Sequence, residues 1–375
     1  LTSLQFEYLD SVVPLIQKGA VDDGRSFRGS YNDIVTTHRL VGEFDKLAGH
    51  FQQHEKTTFA ATNSYDRKRI IDNGDLATEG VRPKLVGHLV LVGDIISTQN
   101  QLRKAEPDAR VATAVEIVNR ILSLRIDGES AAYAIGSSAV PKMLYGTQWA
   151  LPSYASTSKF RTRIISAIWG RSSKMRCVEM LMAGLHDLTR IDPFFATAHR
   201  GIILARRISM KTQARYIRFV DAINDANAPD KLRNIHGPAH GFLRCCKALC
   251  IKVVTEGEDI WLHMPTGSIV LLTTPHSSYL TACLKESAKF LILEHLANRV
   301  SDPSGRQGYP RKDFKHVTPW LDWKATFGFL KAKRSRDEGG GYVLSSDERR
   351  ILKLILVGSI LAPHRLMKEK LVDTD

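Results

Sequence analysis

The stretch LIQKGAVDDGRSF, residues 15–27, decides how the first hundred residues are interpreted. A short apolar run leads into Asp22 and Asp23, and Gly24 follows them. Two interpretations are open: the aspartates hold a metal ion at the end of a strand, or they are two acids in a surface turn. A chain of this length should contain Asp-Asp about once by chance, so the dipeptide alone favours the surface turn. The elements that follow must therefore decide between the two.

Apolar residues recur downstream at the spacing of an amphipathic helix over about 35–53. They are Val35, Leu40, Val41, Phe44, Leu47, Ala48 and Phe51. KTTFAAT, which begins at Lys56, is rich in Thr and Phe and predicts a strand. GHLVLVGDIIS, residues 87–97, predicts a buried strand broken by Gly93. These elements form an α+β unit, in which we expect GAVDD and KTTFAAT to lie side by side in one antiparallel sheet packed on the helix.

The patterns after Gln99 change to long apolar stripes with helix caps and stops. They predict helices over 109–124, 156–170, 173–188 and 192–208, with Pro193 in a first turn. CIKVVTEGEDIWLHMPTGSIVLL, residues 250–272, predicts short strands joined by Gly and Pro turns. Further helices are predicted at 277–299, near 321–333 and at 345–360, the last started by the capping pattern SSDE, and a loop at 301–313.

Charge is unevenly distributed along the chain. The net charge is +14, and residues 151–250 carry 17 Lys and Arg against 6 Asp and Glu. Such a local surplus suits a phosphate backbone, because each neutralised phosphate releases counterions. The alternative is a solvated basic helical surface. The chain has no run of 18 apolar residues, which excludes a membrane span.

The cysteines predict reduced thiols rather than a metal site. The five are Cys177, Cys245, Cys246, Cys250 and Cys283, and no two form a C-x-x-C pair. An odd number in a long chain is typical of an intracellular protein. The chain begins with Leu1 and carries no signal-peptide pattern, so we expect it to be a fragment of a longer protein.

The order VDD, amphipathic helix, Lys56-Thr57 strand and LVLVG strand resembles the palm of a non-LTR retrotransposon reverse transcriptase. Farther on, AVPKMLYGTQW, FRTRIISAIWGRSSKMRCVEMLM, GPAHGFLRCCKAL and the C-terminal tail are similar to retroelement open reading frames of dinoflagellate algae. The resemblance covers nearly the whole chain in layout. Only VDD, KTT and LVG are tied to known chemistry.

The resemblance implies a fold class of α+β: a truncated reverse-transcriptase palm sheet, a mostly α-helical thumb and connection, and a small α+β C-terminal region. The expected boundaries are 1–99 for the partial palm, 100–248 for the basic helical thumb and connection, 249–300 for a small α+β region and 301–375 for a C-terminal helical region. It also implies a nuclear location and RNA and DNA, as template and primer, as partners.

The same resemblance implies roles for particular residues. Asp22 would be a ligand of catalytic Mg²⁺ with Asp23 as its partner, since polymerases hold two metal ions between carboxylates. Lys56 would lie near the incoming triphosphate. The residues of the primer grip would be Leu91, Val92 and Gly93.

The catalytic set is incomplete, because the family's first catalytic aspartate lies upstream of the double aspartate and only 21 residues precede Asp22. GRSFRG also follows the aspartates where the family has an apolar strand. We therefore expect this chain alone not to polymerise. The alternative function is a non-enzymatic basic nucleic-acid-binding protein whose Asp-Asp pair is decayed or accidental.

Nucleic-acid contacts are predicted within the basic stretch. The candidates fall close together across one helix and the start of the next: Lys159, Arg161, Arg163, Arg171, Lys174 and Arg176. A shared face would let several of them meet one backbone groove. The alternative is that they are dispersed around the helices and paired with local acids.

Other candidates favour structural interpretations. His236 and His240 are four residues apart, but Gly237 and Pro238 disfavour one helix carrying both. Glu179 is best interpreted as a salt-bridge partner of a nearby arginine. The tryptophans at 169, 320 and 323 have apolar neighbours, which favours core packing over base stacking.

Overall fold

The computed structural model describes two compact units, Leu1–Arg103 and Lys104–Asp375. The described residues are 2–13, 17–21, 24–50, 57–72, 76–77, 84–91, 94–97, 105–147, 151–169, 181–227 and 238–298, with positions 327, 345, 348, 351 and 352. They are mostly helical and contain small sheets, so the broad α+β prediction is confirmed.

The N-terminal unit starts with a helix, a hairpin and a second helix. These are α1 (Thr2–Val12), β1 (Gln17–Val21), β2 (Gly24–Arg28) and α2 (Tyr31–Leu47). A small apolar core contains Leu9, Val13, Leu40 and Val41, with Phe6, Phe27 and Ile34 packed against it. Of the apolar stripe predicted over 35–53, Leu40 and Val41 are buried, whereas Leu47 is 90% exposed.

Helix α2 begins four residues before the predicted start because of its cap. The Asp33 amide donates to Ser30 Oγ at 3.3 Å, and the Ser30 amide donates to Asp33 Oδ2 at 3.1 Å. This reciprocal pair satisfies two amides that a helix start leaves without partners. The helix ends at Leu47, before Gly49, whose φ of 70° is in the left-handed region that ends helices.

The predicted joining of GAVDD and KTTFAAT in one antiparallel sheet is wrong. The KTTFAAT strand is reduced to β3 (Thr58–Phe59), which pairs in parallel with β4 (Lys84–Leu85), in a different sheet from the β1–β2 hairpin. Helix α3 (Ser64–Asp72) lies between the two strands along the chain. A two-residue strand has too few alternating positions for a periodic pattern to specify its partner.

The strand predicted over 87–97 is a hairpin. Its arms are β5 (His88–Leu91) and β6 (Asp94–Ser97), paired antiparallel with Leu91 opposite Asp94. Gly93, which was predicted to break a single strand, lies outside the described residues. The two arms run in opposite directions, so the apolar pattern covers two strands rather than one.

The C-terminal unit is built mainly from helices. They are α4 (Ala105–Ser123), α5 (Gly128–Ala134), α6 (Val140–Leu144), α7 (Tyr154–Trp169), α8 (Leu188–Ile191), α9 (Pro193–Ser209), α10 (Gln213–Asn227), α11 (Pro238–Ala248) and α12 (Ser277–Asn298), with π-helical turns at Ile135–Ala139 and Leu181–Leu185. Between α11 and α12 lies the antiparallel meander β7 (Lys252–Glu256), β8 (Asp259–His263) and β9 (Ile269–Leu271).

The meander and the helices share one hydrophobic core. Ile260 and Leu262, on one face of β8, are fully buried in the same cluster as Phe160 of α7 and Ile202 of α9. The core is therefore continuous across residue 249, where the sequence suggested a boundary. The predicted strands over 250–272 and the predicted helix at 277–299 are confirmed.

Two local predictions about caps are also confirmed. Pro193 occupies the first turn of α9, and the Asp192 side chain accepts from the amides of Phe194 and Phe195. At SSDE, the Ser345 amide donates to Glu348 Oε2 at 2.8 Å and the Glu348 amide donates to Ser345 Oγ at 3.2 Å. Both caps depend only on neighbouring residues, which is why the sequence predicts them.

Candidate nucleic-acid interface

The β1–β2 hairpin is paired along its whole length up to the Asp-Asp pair. Gln17 lies opposite Arg28, and the ladder ends with Val21 opposite Gly24. Asp22 and Asp23 themselves lie outside the described residues. Within the ranges that are described, no group of three or more His, Cys, Asp or Glu side chains is arranged to hold a metal ion.

The other residues implied by the palm resemblance are described only in part. Lys56, Val92 and Gly93 lie outside the described residues, and β3 begins two positions after Lys56. Leu91 is the last residue of β5. Among the described strands, β3 and β1 belong to different sheets.

Helix α7 presents two of the predicted cations to solvent. Its start is fixed by Ser153, whose hydroxyl accepts from the Ser156 amide at 3.2 Å. Its buried face carries Thr157, Phe160, Ile164 and Ile168. Lys159 and Arg163 are exposed on the outer face, one helical turn apart, and neither forms an ion pair with another described residue. The helix contains no acidic residue.

Arg161 does not share that face, so the predicted three-residue cluster on α7 is corrected. Its Nη2 lies 2.8 Å from Asp192 Oδ2, and its guanidinium lies over the Phe194 ring at 5.8 Å. Asp192 is only 4% exposed and also caps α9. Arg161 is therefore a structural residue that ties α7 to the start of α9. Arg171, Lys174, Arg176 and Glu179 lie outside the described residues.

Tyr154, in the first turn of α7, is an exposed aromatic that the sequence analysis missed. Its side chain is 78% exposed, and its ring centroid lies 5.2 Å from that of Phe194 with the ring planes inclined at 37°. The available signal was a tyrosine beside the hydroxyl-rich start of a basic helix. That signal is weak, because the partner Phe194 is 40 residues away in the sequence.

A second cationic surface lies at the junction of α9 and α10. RRISMKTQARYIR, residues 206–218, contains five cations and no acid. Arg207, Lys211, Arg215 and Arg218 are exposed. Arg206 is buried and donates from Nη2 to the carbonyl oxygens of Thr274 and Pro275, both at 2.7 Å. The charge run alone could have identified this surface, although not the structural role of Arg206.

A polar cluster lies between α9 and α12. His199 Nε2 is 3.1 Å from Thr281 Oγ1, and Lys285 Nζ is 2.9 Å from Asp187 Oδ1. Burial, with a smaller contribution from the charge of Lys285, lowers the pKa of His199 from 6.5 to about 4. The imidazole is therefore neutral near pH 7 and carries no charge to an anionic ligand.

The four described cysteines are free thiols, and burial makes three of them poor nucleophiles. Cys245, Cys246 and Cys283 are buried, while Cys250 is exposed. Burial raises the pKa of Cys245 to about 12 and also raises the pKa of Cys246 and of Cys283. Cys177 lies outside the described residues. The described part of the chain thus has no buried thiolate poised for chemistry.

Two aromatic and histidine candidates have structural explanations. Trp169 is half-buried against the main core, and its ring meets that of His186 edge to face at 6.5 Å. Core packing is therefore confirmed for Trp169, while Trp320 and Trp323 lie outside the described residues. Helix α11 begins at Pro238, so His240 lies within its first turn, while His236 is not among the described residues.

Comparison of the chain with protein-family models, with curated proteins and with solved structures found no match. Among the helices that the structure describes, none has the length and apolarity needed to cross a membrane. The class that the structure defines is a mostly helical α+β protein whose described surface carries exposed cations on α7 and at the α9–α10 junction.

Proposed function

We propose that the chain is a nucleic-acid-binding segment of a retroelement RNA-directed DNA polymerase that does not polymerise on its own. The observation that carries the polymerase part is the antiparallel hairpin whose ladder ends at Val21 and Gly24, on either side of Asp22 and Asp23. A tight hairpin is the setting in which adjacent carboxylates reach metal ions in such enzymes. A second hairpin, paired up to Leu91 and Asp94, follows in the expected order.

The hairpin is held against the neighbouring helices by an ion pair. Arg25 of β2 contacts Asp45 of α2 through Nη1–Oδ1 and Nη2–Oδ2, both at 2.9 Å. The same guanidinium also donates to Gln5 of α1. Such two-pronged pairs are rigid. The ion pair fixes how the hairpin lies against α2. A hairpin that carries metal ligands needs such a fixed orientation.

The described residues do not complete a magnesium site. Mg²⁺ would be held by Asp22 and Asp23, but two-metal phosphoryl transfer needs carboxylates from more than one strand. Within the described residues, no three His, Cys, Asp or Glu side chains form a group that could hold a metal ion. We therefore derive no catalytic step through the metal and do not expect this chain alone to polymerise.

A non-enzymatic nucleic-acid-binding protein is the second candidate. The observation that favours it is the separation of β3 from the β1–β2 hairpin, which removes one expected contact of a palm. Both candidates bind nucleic acid through the same basic surface of α7. They differ only in whether Asp22 and Asp23 are part of a metal site.

Nucleic-acid binding by α7 is tested with a fluorescent primer–template of RNA and DNA at several salt concentrations. Lys159→Ala with Arg163→Ala should weaken the complex and reduce the slope of log affinity against log salt by about 2, roughly one for each cation removed. Lys142→Ala with Lys252→Ala is the matched control, since both lysines are exposed and lie on other elements. Equal affinity and slope in both double variants would refute binding through α7.

The polymerase origin is tested on the same complex with and without Mg²⁺. If Asp22 and Asp23 form part of a metal site at the primer end, Asp22→Asn with Asp23→Asn should abolish the gain in primer–template affinity that Mg²⁺ produces. If Mg²⁺ changes the affinity of the unaltered chain and of this variant equally, the non-enzymatic candidate is the correct one.

A further inference from the structure

Tyr154 leaves a large aromatic ring in water at the start of a basic helix. The side chain is 78% exposed, and its ring centroid lies 5.2 Å from that of Phe194. Burial of an aromatic ring is a large source of stability. Tyr154 contributes little of this kind to the fold, so its exposed face is available to a ligand.

The support beneath the Tyr154 ring is rigid. Phe194 is in the first turn of α9, and its amide donates to Asp192 Oδ1 at 3.0 Å. Arg161 lies over the same Phe194 ring at 5.8 Å and binds Asp192 at 2.8 Å. Tyr154 and Arg161 both contact the Phe194 ring, and we call these three side chains the aromatic platform. Its position is set before any ligand arrives, and this reduces the entropy cost of binding.

Tyr154 and Arg161 reach the platform together because of helix geometry. Residues seven apart lie nearly above one another, about two turns along the axis. Lys159 and Arg163 lie on the same helix, within roughly 14 Å of Tyr154 along its axis at 1.5 Å per residue. At 3.6 residues per turn, Lys159 and Arg163 lie about 140° and about 180° around the helix from Tyr154. A strand that stacks a base on Tyr154 must therefore pass around the outer face of α7 to reach these two cations.

The chemistry of this surface matches an unpaired base with its phosphates. Every base has a π-face, and stacking on an aromatic side chain needs that face to be free. In a duplex both faces are covered by neighbouring bases. The cations of α7 attract the backbone of either form. The platform therefore distinguishes single strands from duplexes, whereas the cations do not.

We propose that the aromatic platform, through Tyr154, stacks an unpaired base and makes the chain prefer single-stranded to double-stranded nucleic acid. This inference rests on the proposed nucleic-acid binding and names its substrate class. Tyr133 of α5 provides the comparison, since it is 70% exposed but has no aromatic neighbour among the described residues.

The test compares one RNA sequence as a single strand and as a blunt duplex, by fluorescence anisotropy at fixed salt. Tyr154→Ala should lose about ten-fold in affinity for the single strand and less than two-fold for the duplex. Tyr154→Phe should retain the single-strand affinity, because it keeps the ring. Tyr133→Ala should bind both probes as the unaltered chain does. The salt slope should be the same in Tyr154→Ala, since no charge is removed.

The outcomes separate this inference from the proposed function. If the unaltered chain binds both probes and Tyr154→Ala changes neither affinity, the platform proposal is overturned while nucleic-acid binding stands. Equal losses on single strand and duplex, or equal losses in Tyr154→Ala and Tyr133→Ala, overturn it as well. If the unaltered chain binds neither probe, the proposed function fails and the platform proposal fails with it. Circular dichroism of each variant checks that the helices are intact.

Discussion

Arg25 and Asp45 form a two-pronged ion pair in which both N···O distances are 2.9 Å and the Asp45 side chain is only 2% exposed. Because Arg25 lies in β2 and Asp45 in α2, the pair fastens the Asp-Asp hairpin to the helix that follows it. Removing one member of such a pair leaves the other charge without compensation in a desolvated place. The pair therefore matters more to this unit than a surface ion pair would.

Asp45→Ala is expected to destabilise the helix–hairpin–helix arrangement by about 3 kcal/mol, because it leaves the Arg25 guanidinium without its ionic partner. Amide hydrogen exchange in α2 measures this as a loss of opening free energy. Glu43→Ala is the control: Glu43 is exposed on the same helix, and its removal should change that energy by less than about 0.5 kcal/mol. Equal protection in both variants would show that the ion pair does not hold the hairpin.

The purified chain is expected to show no primer extension with Mg²⁺, nucleotides and a primed RNA template. The reason is that two-metal catalysis needs carboxylates from more than one strand, and the described residues contain no group of three or more His, Cys, Asp or Glu side chains that could hold a metal ion. Incorporation of labelled nucleotide is the measurement. Extension above background that Asp22→Ala abolishes would show that the chain carries a complete site.

Gly184→Ala is expected to cost about 1–3 kcal/mol, since an added Cβ would lie 2.5–2.7 Å from ring atoms of Phe327. Chemical denaturation measures the change. In Gly42→Ala the added Cβ meets nothing within 4 Å. Because Gly42 lies in helix α2, this substitution should leave the free energy of unfolding unchanged or raise it slightly. In a Phe327→Ala background the cost of Gly184→Ala should shrink, because the clashing ring is gone. An undiminished cost would assign the effect to the π-helical backbone instead.

Protonation of His199 is expected to destabilise the helical unit in acid. Burial, and then the charge of Lys285, hold the pKa of His199 at about 4 against an ordinary 6.5, while Asp187 partly opposes and Arg200 adds to the effect. The folded state thus favours the neutral ring. This contribution is fully present above pH 6.5 and is lost as pH falls toward 4, by about 2 kcal/mol at pH 5.

His199→Gln provides the measurement, since glutamine does not titrate and can still bond to Thr281. The free energy of unfolding should fall less between pH 7 and pH 5 in this variant than in the unaltered chain. His276→Gln, at an exposed position, controls for the loss of a surface histidine. The same pH dependence in the unaltered chain and in His199→Gln would show that His199 is not the group responsible.

Much of the local structure follows from the sequence by itself. Asp192 before Pro193 predicts the start of α9, and the Gly and Pro turns predict the β7–β9 meander, where Gly257 and Gly267 have φ of 61° and 88°. Such features depend on neighbouring residues and on backbone angles that glycine adopts readily. The early start of α2 at the Ser30–Asp33 capping box was also encoded locally, although the apolar stripe alone did not reveal it.

Partnerships between distant residues were decided by the tertiary structure alone. The sequence predicted Arg161 to be a surface cation. In the structure it binds Asp192, 31 positions away, and so has a structural role. The ring of Tyr154 meets that of Phe194, 40 positions away, only in the folded chain. Likewise β3 pairs with β4 rather than with the Asp-Asp hairpin. Periodic patterns specify which face of an element is buried, whereas its partner depends on packing among segments far apart in the chain, which no local pattern encodes.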